Sequence, residues 1–153
     1  MKIAIGSDHA AFDLKSIVIQ YLEGKEIDVV DAGTFTKEST HYPIYAQKVA
    51  RAVTSEEVDF GILICGTGVG IGISANKVPG IRAAIVSDTY SARMARAHNN
   101  ANVLAFGERV VGPGLAIELV DAFLEEPFQG GRHQTRVNLI SQIEAGDDIT
   151  PSS

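Results

Sequence analysis

The sequence predicts an α/β fold, a Rossmann-like three-layer sandwich in which helices cover both faces of a five-stranded parallel sheet. Two patterns support this prediction. Short apolar runs typical of buried strands alternate five times with longer amphipathic stretches typical of helices. Glycine or polar residues follow the apolar runs, as expected where strands end in loops. A further amphipathic stretch after the fifth unit predicts an extra C-terminal helix.

The length and apolar pattern of each stretch assign the strands and helices. Strand candidates are short runs rich in Ile, Val, Ala and Leu, as buried parallel strands are. Helix candidates are longer and carry apolar residues on one face. Pro43 suits the first turn of one helix, and Asp88 suits the N-cap of another. The predicted strands are 2–6, 27–33, 60–65, 81–86 and 102–107, and the predicted helices are 11–22, 43–53, 69–75, 87–97, 113–124 and 132–143.

The same pattern predicts the domain organisation and the edge of the sheet that binds ligands. No internal repeat or linker divides the chain, so we expect one domain over 1–144 and a polar tail over 145–153. In a doubly wound sheet, ligands bind beyond the carboxyl ends of the strands. The segments predicted at those ends are GSDH, DAGT, CGTGVG, SDTY and GERV.

Composition and charge exclude several classes of protein. The chain has 153 residues, of which 45% are hydrophobic and 21% charged, proportions that are ordinary for a globular protein. Its net charge of −6 argues against a nucleic-acid partner. No apolar run reaches the roughly 20 residues that a membrane span requires, and the N-terminus lacks the pattern of a signal peptide. We therefore expect a cytoplasmic protein in which a local positive site holds any anionic ligand.

The one cysteine of the chain stands where the third predicted strand meets a glycine-rich loop. Cys65 ends that strand, and glycines follow at every second position from Gly66 to Gly72. Glycines let backbone amides approach an anion closely, and the N-terminus of a following helix adds partial positive charge. Such a loop favours a thiolate, so Cys65 is a candidate base or nucleophile. The alternative is a small buried hydrophobic residue, as many cysteines are.

Two common cofactor patterns do not fit the chain. The segment GIGISA, residues 70–75, matches the dinucleotide-binding pattern, but it begins five residues after the strand ends, out of register with a pyrophosphate site. The four histidines and the cysteine show no metal-ligand spacing, and there is no acidic cluster of the EF-hand type. We therefore predict neither a metal nor an organic cofactor.

Several polar residues near strand ends are further candidates. Asp8 and His9 follow the first strand, where such a pair suits proton transfer or contact with a phosphate. Tyr42 is placed to line the same edge of the sheet, and His98 with Asn99 precedes the fifth strand. Each type also has a structural explanation, since an aspartate caps helix N-termini, a histidine caps C-termini and a tyrosine packs at rims.

The sparse basic residues indicate where an anion would bind. Arg132 and Arg136 are four residues apart on the last predicted helix and so share one face. Paired guanidiniums suit a phosphate group, and Arg109 adds another at the end of the fifth strand. The alternative is a solvated helix face with ordinary ion pairs. Because this helix lies outside the five-strand unit, it can reach a partner subunit and place the site at a dimer interface.

These segments together closely resemble the ribose-5-phosphate isomerase type B family, which also contains galactose-6-phosphate isomerase subunits. The resemblance covers roughly residues 1–143, and its specificity comes from the combination of segments rather than from any one of them. The matching segments are GSDHAAFDLK, DAGT, YP, GILICGTGVGIGISANKVPGIRAA, AHNNANVLAFGERVVG and FQGGRHQTRV.

The resemblance implies an aldose–ketose isomerase that interconverts ribose 5-phosphate and ribulose 5-phosphate in the non-oxidative branch of the pentose phosphate pathway. The family works through a cis-enediolate, with neither metal nor organic cofactor. It forms dimers, sometimes tetramers, with sites built from two chains. Members that lack the cysteine use a glutamate elsewhere, but the region near SANK offers none here, so the chain fits the cysteine subtype. The whole residue set is present in one chain, which argues for a homo-oligomer.

The resemblance also implies a role for each candidate residue. Cys65 is the base that moves a proton between C1 and C2, and Thr67 with the loop amides holds the enediolate oxygens. His98 helps to open the sugar ring, with Asp8 near the ring oxygen or hydroxyls. The residues implied in binding the substrate's oxygens, hydroxyls and phosphate are His9, Tyr42, Gly66, Gly68, Val69, Gly70, Asn99, Arg109, Arg132 and Arg136.

Three other functions stay open. An isomerase of a six-carbon sugar phosphate, such as allose 6-phosphate or galactose 6-phosphate, needs the same residues in a longer site. A non-catalytic phosphosugar-binding module needs the arginines but not Cys65. A thiol-based transferase or redox protein predicts a covalent adduct on Cys65, whereas an isomerase predicts none.

Overall fold

The five apolar runs form one parallel sheet. The computed structural model describes residues 1–153, and its strands are β1 Lys2–Ser7, β2 Asp28–Asp31, β3 Phe60–Cys65, β4 Ala83–Ile85 and β5 Val103–Gly107. Their order across the sheet is β2-β1-β3-β5-β4, and every neighbouring pair is parallel. The central strand is therefore β3, and the loop after it lies between the ends of β1 and β5.

Six helices cover the two faces of the sheet. They are α1 Phe12–Gly24, α2 Tyr42–Thr54, α3 Val69–Asn76, α4 Thr89–Ala97, α5 Pro113–Glu125 and α6 Arg132–Glu144, with a single 3-10 turn, His9–Ala11, before α1. All predicted elements are present. The edge strands β2 and β4 are shorter than predicted, because an edge strand pairs on one side only and ends where its single neighbour stops pairing with it.

Alternation along β3 divides its side chains between two cores. Ile62 and Ile64 pack with α1, α4 and α5, whereas Leu63 and Cys65 pack with α2 and α3. The direction of the Cys65 thiol is thus fixed by the strand before the loop begins.

Local sequence signals explain how two helices begin. Asp88 caps α4 by accepting a hydrogen bond from the N–H of Ser91 at 2.7 Å, as predicted. Pro43 lies in the first turn of α2, where its fixed φ suits the helix. None of the six helices combines the length and the apolar content needed to cross a bilayer.

The last helix, α6, is attached differently from the others. Only His133 and Val137 of this helix are buried, and Ile140 and Ile143 are 43% and 56% exposed. The chain reaches α6 through Gly130 and Gly131, whose φ angles are +67° and +55°. A glycine joint therefore carries a helix whose apolar stripe faces solvent.

Candidate functional site

The thiol of Cys65 lies beneath the loop that follows β3. The residue is 5% exposed, and the backbone N–H of Gly68 donates a hydrogen bond to its Sγ at 3.1 Å. This donor directs a peptide dipole at the sulfur, where it stabilises negative charge. The two interpretations of Cys65 are therefore compatible: the residue belongs to the core, and its sulfur has the kind of donor that a thiolate needs.

The bend that delivers this N–H requires glycine. Gly68 has φ +82° and ψ −13°, and a Cβ added to it would lie 2.6 Å from the carbonyl carbon of Phe106. L residues disfavour this φ, and a contact that short forces the backbone to shift. The loop consequently lies flat against β5. α3 begins at once with Val69, whose N–H donates to Thr67 Oγ1 at 3.2 Å.

Backbone hydrogen bonds join this loop to the loop after β5. The N–H of Glu108 donates to the carbonyl oxygen of Cys65 at 2.9 Å, and the N–H of Arg109 donates to that of Gly66 at 3.0 Å. A Cβ on Gly66 would stand 3.4 Å from Nη1 of Arg109, so the guanidinium lies against the loop. Arg109 is exposed and makes no ion pair. An anion bound at this loop would therefore meet an unpaired positive charge.

Asp8 and His9 follow the end of β1, which neighbours the end of β3 that carries Cys65, because the two strands pair directly. The carboxylate of Asp8 accepts the N–H of Ala10 at 3.0 Å and so caps the 3-10 turn, as its structural explanation predicted. Nδ1 of His9 accepts the N–H of Thr40 at 3.1 Å. The neutral ring of His9 therefore carries its proton on Nε2, and this N–H is a donor for an anion.

Tyr42 forms the rim of the loop. A Cβ on Gly70 would lie 2.6 Å from Cζ of Tyr42, so the phenol ring rests directly on the first turn of α3. Tyr42 is 39% exposed, so part of its side chain is open to solvent. We name the residues gathered at this end of the sheet the carboxyl-edge group: Asp8, His9, Tyr42, Cys65, Gly66, Thr67, Gly68, Val69, Gly70 and Arg109.

His98 and Asn99 lie at the opposite end of the sheet. They follow α4, which returns the chain from the carboxyl end of β4 to the amino end of β5. Arg82, which stands just before β4, donates from Nε to the carbonyl oxygen of Asn99 at 3.1 Å. From Val103 at the start of β5 to the level of Cys65 the chain takes four residue steps, about 13 Å at the usual rise per residue.

Arg132 and Arg136 accompany His98 at this end. His133, which stands between them in sequence, is buried and stacks on His98, with ring centroids 4.1 Å apart and planes 7° from parallel. Burial lowers the pKa of His133, and the neighbouring His98, Arg132 and Arg136 lower it further. Both arginines are exposed and neither makes an ion pair, so this helix face is solvated but lacks the ion pairs of the alternative interpretation. We name His98, Asn99, Arg132 and Arg136 the amino-edge group.

The largest cavity of the chain also lies at the amino edge. It encloses about 490 Å³ between β4 and α6, and Arg82, Asn99, Ile140 and Glu144 are among its lining residues. Cys65 lines none of the cavities of the chain. Nowhere do three or more His, Cys, Asp or Glu side chains converge as metal ligands would. Within one chain, the Cys65 thiol and the largest cavity are therefore in different places.

Sequence reasoning missed four residues near these groups. His133 stands between the two predicted arginines in FQGGRHQTRV, and that position was an available signal. Glu108 follows β5, and burial raises the pKa of its carboxyl group. Arg82 and Arg96 hold the turn after α4. Nothing in the pattern around these last three distinguishes them from ordinary surface charges.

Comparisons with known proteins point to one family. The sequence model of the Ribose/Galactose Isomerase family matches residues 3–140. The ribose-5-phosphate isomerase B of Escherichia coli (strain K12) is 55% identical over 143 residues, which cover 94% of this chain and 96% of that protein. The D-erythrulose-4-phosphate isomerase of Pectobacterium atrosepticum is 47% identical over 145 residues, which cover 94% of this chain and 95% of that protein.

A solved structure has the same architecture. The ribose-5-phosphate isomerase B of Clostridium thermocellum superimposes with a TM-score of 0.94 and 55% identity, over 95% of this chain and 99% of that one. The predicted Rossmann-like α/β fold is thereby confirmed.

Proposed function

The chain belongs to the Ribose/Galactose Isomerase family, and we propose that it interconverts ribose 5-phosphate and ribulose 5-phosphate. The observation that carries the proposal is the hydrogen bond from the Gly68 N–H to the Cys65 thiol, at the mouth of a glycine loop. We place the reaction in the non-oxidative branch of the pentose phosphate pathway. We also place it in the cytoplasm, where charged sugar phosphates are retained because a bilayer excludes them.

Cys65 is the base in this proposal. Its thiolate removes the proton from C2 of the open-chain aldose, which leaves a cis-enediolate, and the thiol then returns a proton to C1. The hydroxyl proton on O2 passes to O1, so the ketose forms with no gain or loss of electrons. Thr67 and the amides of residues 66–70 stabilise the two oxygens as negative charge develops on them. Neither a metal nor an organic cofactor takes part in these steps.

The phosphate group anchors the substrate for this transfer. Arg109, Arg132 and Arg136 supply guanidiniums that no carboxylate engages, and His9 supplies its Nε2–H. Charge-assisted bonds from such donors are strong and directional. Because the phosphate is remote from C1 and C2, its binding energy positions the reacting carbons beside the base.

Ring opening and the sugar hydroxyls involve the remaining candidates. His98 takes part in opening the furanose, and Asp8 lies near the ring oxygen. Tyr42 and Asn99 contact the hydroxyls. These roles require the carboxyl-edge and amino-edge groups to meet around one substrate.

We further propose that the active protein is a homodimer, or a tetramer built from two such dimers, in which the carboxyl-edge group of one chain faces the amino-edge group of another. Cys65 lies at the carboxyl end of β3, whereas Arg136 belongs to the group at the amino end of the sheet, so we infer that one pentose phosphate does not span both groups of a single chain. The exposed Ile140 and Ile143 of α6 also favour a partner, which would cover their apolar surface.

A sugar phosphate of another length is the second candidate. The relative named for D-erythrulose 4-phosphate favours this alternative, since it shares nearly half of its residues with this chain. Six-carbon substrates such as allose 6-phosphate or galactose 6-phosphate need the same groups at a greater separation. The distance between Cys65 and the arginines of the facing chain sets which length fits best.

The first test is turnover of ribose 5-phosphate in the presence of EDTA, with wild type and Cys65→Ala in parallel. We expect turnover by wild type and its loss in the variant, with the melting temperature and the affinity for inorganic phosphate retained. Undiminished turnover by Cys65→Ala would remove the thiol as the base.

Turnover of only four- or six-carbon substrates would establish the second candidate. Turnover of none would favour a phosphosugar-binding module, and a covalent adduct on Cys65 in the mass spectrum would favour a transferase.

A further inference from the structure

Two arginines from different elements hold the turn that follows α4. The Nε of Arg82 donates to the carbonyl oxygens of Asn99 and Asn100, both at 3.1 Å, and its Nη2 donates to that of Asn100 at 2.8 Å. Arg96, in the last turn of α4, donates from Nη1 to Oδ1 of Asn100 at 2.9 Å and to the carbonyl oxygen of Ala101 at 2.7 Å. All five hydrogen bonds therefore end within three consecutive residues.

These guanidiniums are not used in ion pairs. Neither Arg82 nor Arg96 has a carboxylate within ion-pair distance. Arg96 is buried with its guanidinium 4.5 Å from the ring centroid of Phe60. Burial lowers the pKa of both groups, which means that keeping them charged here opposes folding. Both guanidiniums nevertheless donate to backbone carbonyl oxygens of the turn. We take this as a sign that the hydrogen bonds serve to hold the shape of the turn.

The turn carries two members of the amino-edge group. His98 and Asn99 lie on it, and Asn100 turns the chain with φ +46°, a left-handed conformation that asparagine adopts more readily than most other residues. Arg96 donates only to Asn100 and Ala101, which follow Asn99 in the turn. Arg82, in contrast, donates to the carbonyl oxygen of Asn99 itself.

We propose that Arg82 is a positioning residue for the isomerase reaction, which fixes His98 and Asn99 through the carbonyl oxygens of this turn without touching the substrate. This inference rests on the proposed function. The two donors of the guanidinium fork share one plane, and a lysine ammonium cannot reproduce that geometry. The fork, and not the positive charge alone, is therefore what the turn requires.

The variants Arg82→Met and Arg82→Lys test the proposal, with Arg51→Met as the control because Arg51 is an exposed arginine of α2 without an ion pair. A small misplacement of reacting groups lowers turnover strongly, so we expect kcat for ribose 5-phosphate to fall about 10-fold in Arg82→Met, with only partial recovery in Arg82→Lys. The inhibition constant of inorganic phosphate should change by less than about 2-fold, because the arginines proposed to bind phosphate belong to α6 and to the loop after β5 and not to this turn. Arg51→Met should match wild type.

A double-mutant cycle separates positioning from general destabilisation. Placed in a His98→Ala background, Arg82→Met should lower kcat by less than about 3-fold, because much of what it positions is already absent. An equal fold-loss in both backgrounds, or an unchanged kcat in Arg82→Met alone, would overturn the proposal. Should Arg82→Met not fold, Arg82→Lys in the same two backgrounds decides between these outcomes. Wild type that turns over no ribose 5-phosphate would refute the proposed function, and this inference with it.

Discussion

The carboxyl-edge and amino-edge groups are built in opposite ways. At the carboxyl edge the main chain does the positioning: a buried thiol receives a backbone N–H, and backbone hydrogen bonds join the loops after β3 and β5. At the amino edge side chains do the positioning, since Arg82 and Arg96 hold the turn after α4. The arginines of this group, Arg132 and Arg136, lie on a helix with only two buried residues. In the proposed reaction, therefore, the base is held by rigid backbone, whereas His98, Arg132 and Arg136 join it only when a partner chain assembles on it.

Mixing two inactive variants tests this division with the largest expected effect. Cys65→Ala damages the carboxyl edge and His98→Ala the amino edge, so each homodimer is expected to turn over very little substrate. In co-refolded mixtures half of the dimers are mixed and one of their two sites is intact, which predicts recovery to about a quarter of wild-type activity. The measurement is kcat per chain after mixing.

The matched control mixes Cys65→Ala with Asp8→Ala, two variants of the same edge. Every site of a mixed dimer then keeps one defect, so activity should stay low. Equal recovery of activity in this control and in the first mixture would contradict the proposal that Asp8 and Cys65 of one chain serve the same site.

Gly68→Ala tests the rigid backbone of the carboxyl edge. The added Cβ meets the backbone of Phe106 at 2.6 Å and occupies a φ of +82°, so the loop must move and the donor to Cys65 is displaced. We expect kcat to fall about 100-fold, as for loss of one donor in an oxyanion site. Gly114→Ala is the control, since no atom lies within 4 Å of its added Cβ. A Gly68→Ala enzyme with wild-type kcat would contradict this account of the loop.

Arg136→Ala tests the charges of the amino edge. Loss of a charge-assisted hydrogen bond to the phosphate predicts a rise of about 10- to 100-fold in KM for ribose 5-phosphate, with a smaller change in kcat. Steady-state kinetics beside Arg51→Ala, a variant of another exposed and unpaired arginine, supplies the comparison. A KM equal to that of wild type would remove Arg136 from phosphate binding.

The smallest effect concerns His133 and the pH dependence of stability. The folded state holds the pKa of this ring below its ordinary value of about 6.5, so the neutral ring is favoured by folding. Its contribution to stability is complete above that pH and is lost as the pH falls, because the unfolded chain binds the proton more readily. We expect the melting temperature to drop less between pH 7 and pH 5 in His133→Gln than in wild type. Parallel curves for the two proteins would contradict this role.

The sequence predicted the fold and the carboxyl-edge group more fully than the rest. β3 is found at its predicted bounds, and Asp8 and Cys65 are brought together by the rule that parallel strands end at one edge. The same rule says nothing of His98, which precedes a strand instead of following one. The structural role of Arg82 has no sequence signal, because an arginine before a strand reads as a surface charge until tertiary packing brings the turn after α4 to it.

At Gly131, in the joint before α6, the choice of residue is limited by the handedness of the backbone and not by the space for a side chain. Gly131 has φ +55° and ψ −128°, the reflection of an ordinary extended conformation near −55° and +128°, and a Cβ added to it would meet nothing within 4 Å. A D-alanine introduced there by chemical synthesis would lie in its own favoured conformation. It would also leave the unfolded chain fewer states, an effect worth about 0.4–1 kcal/mol. The genetic code encodes no mirror-image residue, so glycine is its one unstrained choice at the joint that carries Arg132 and Arg136.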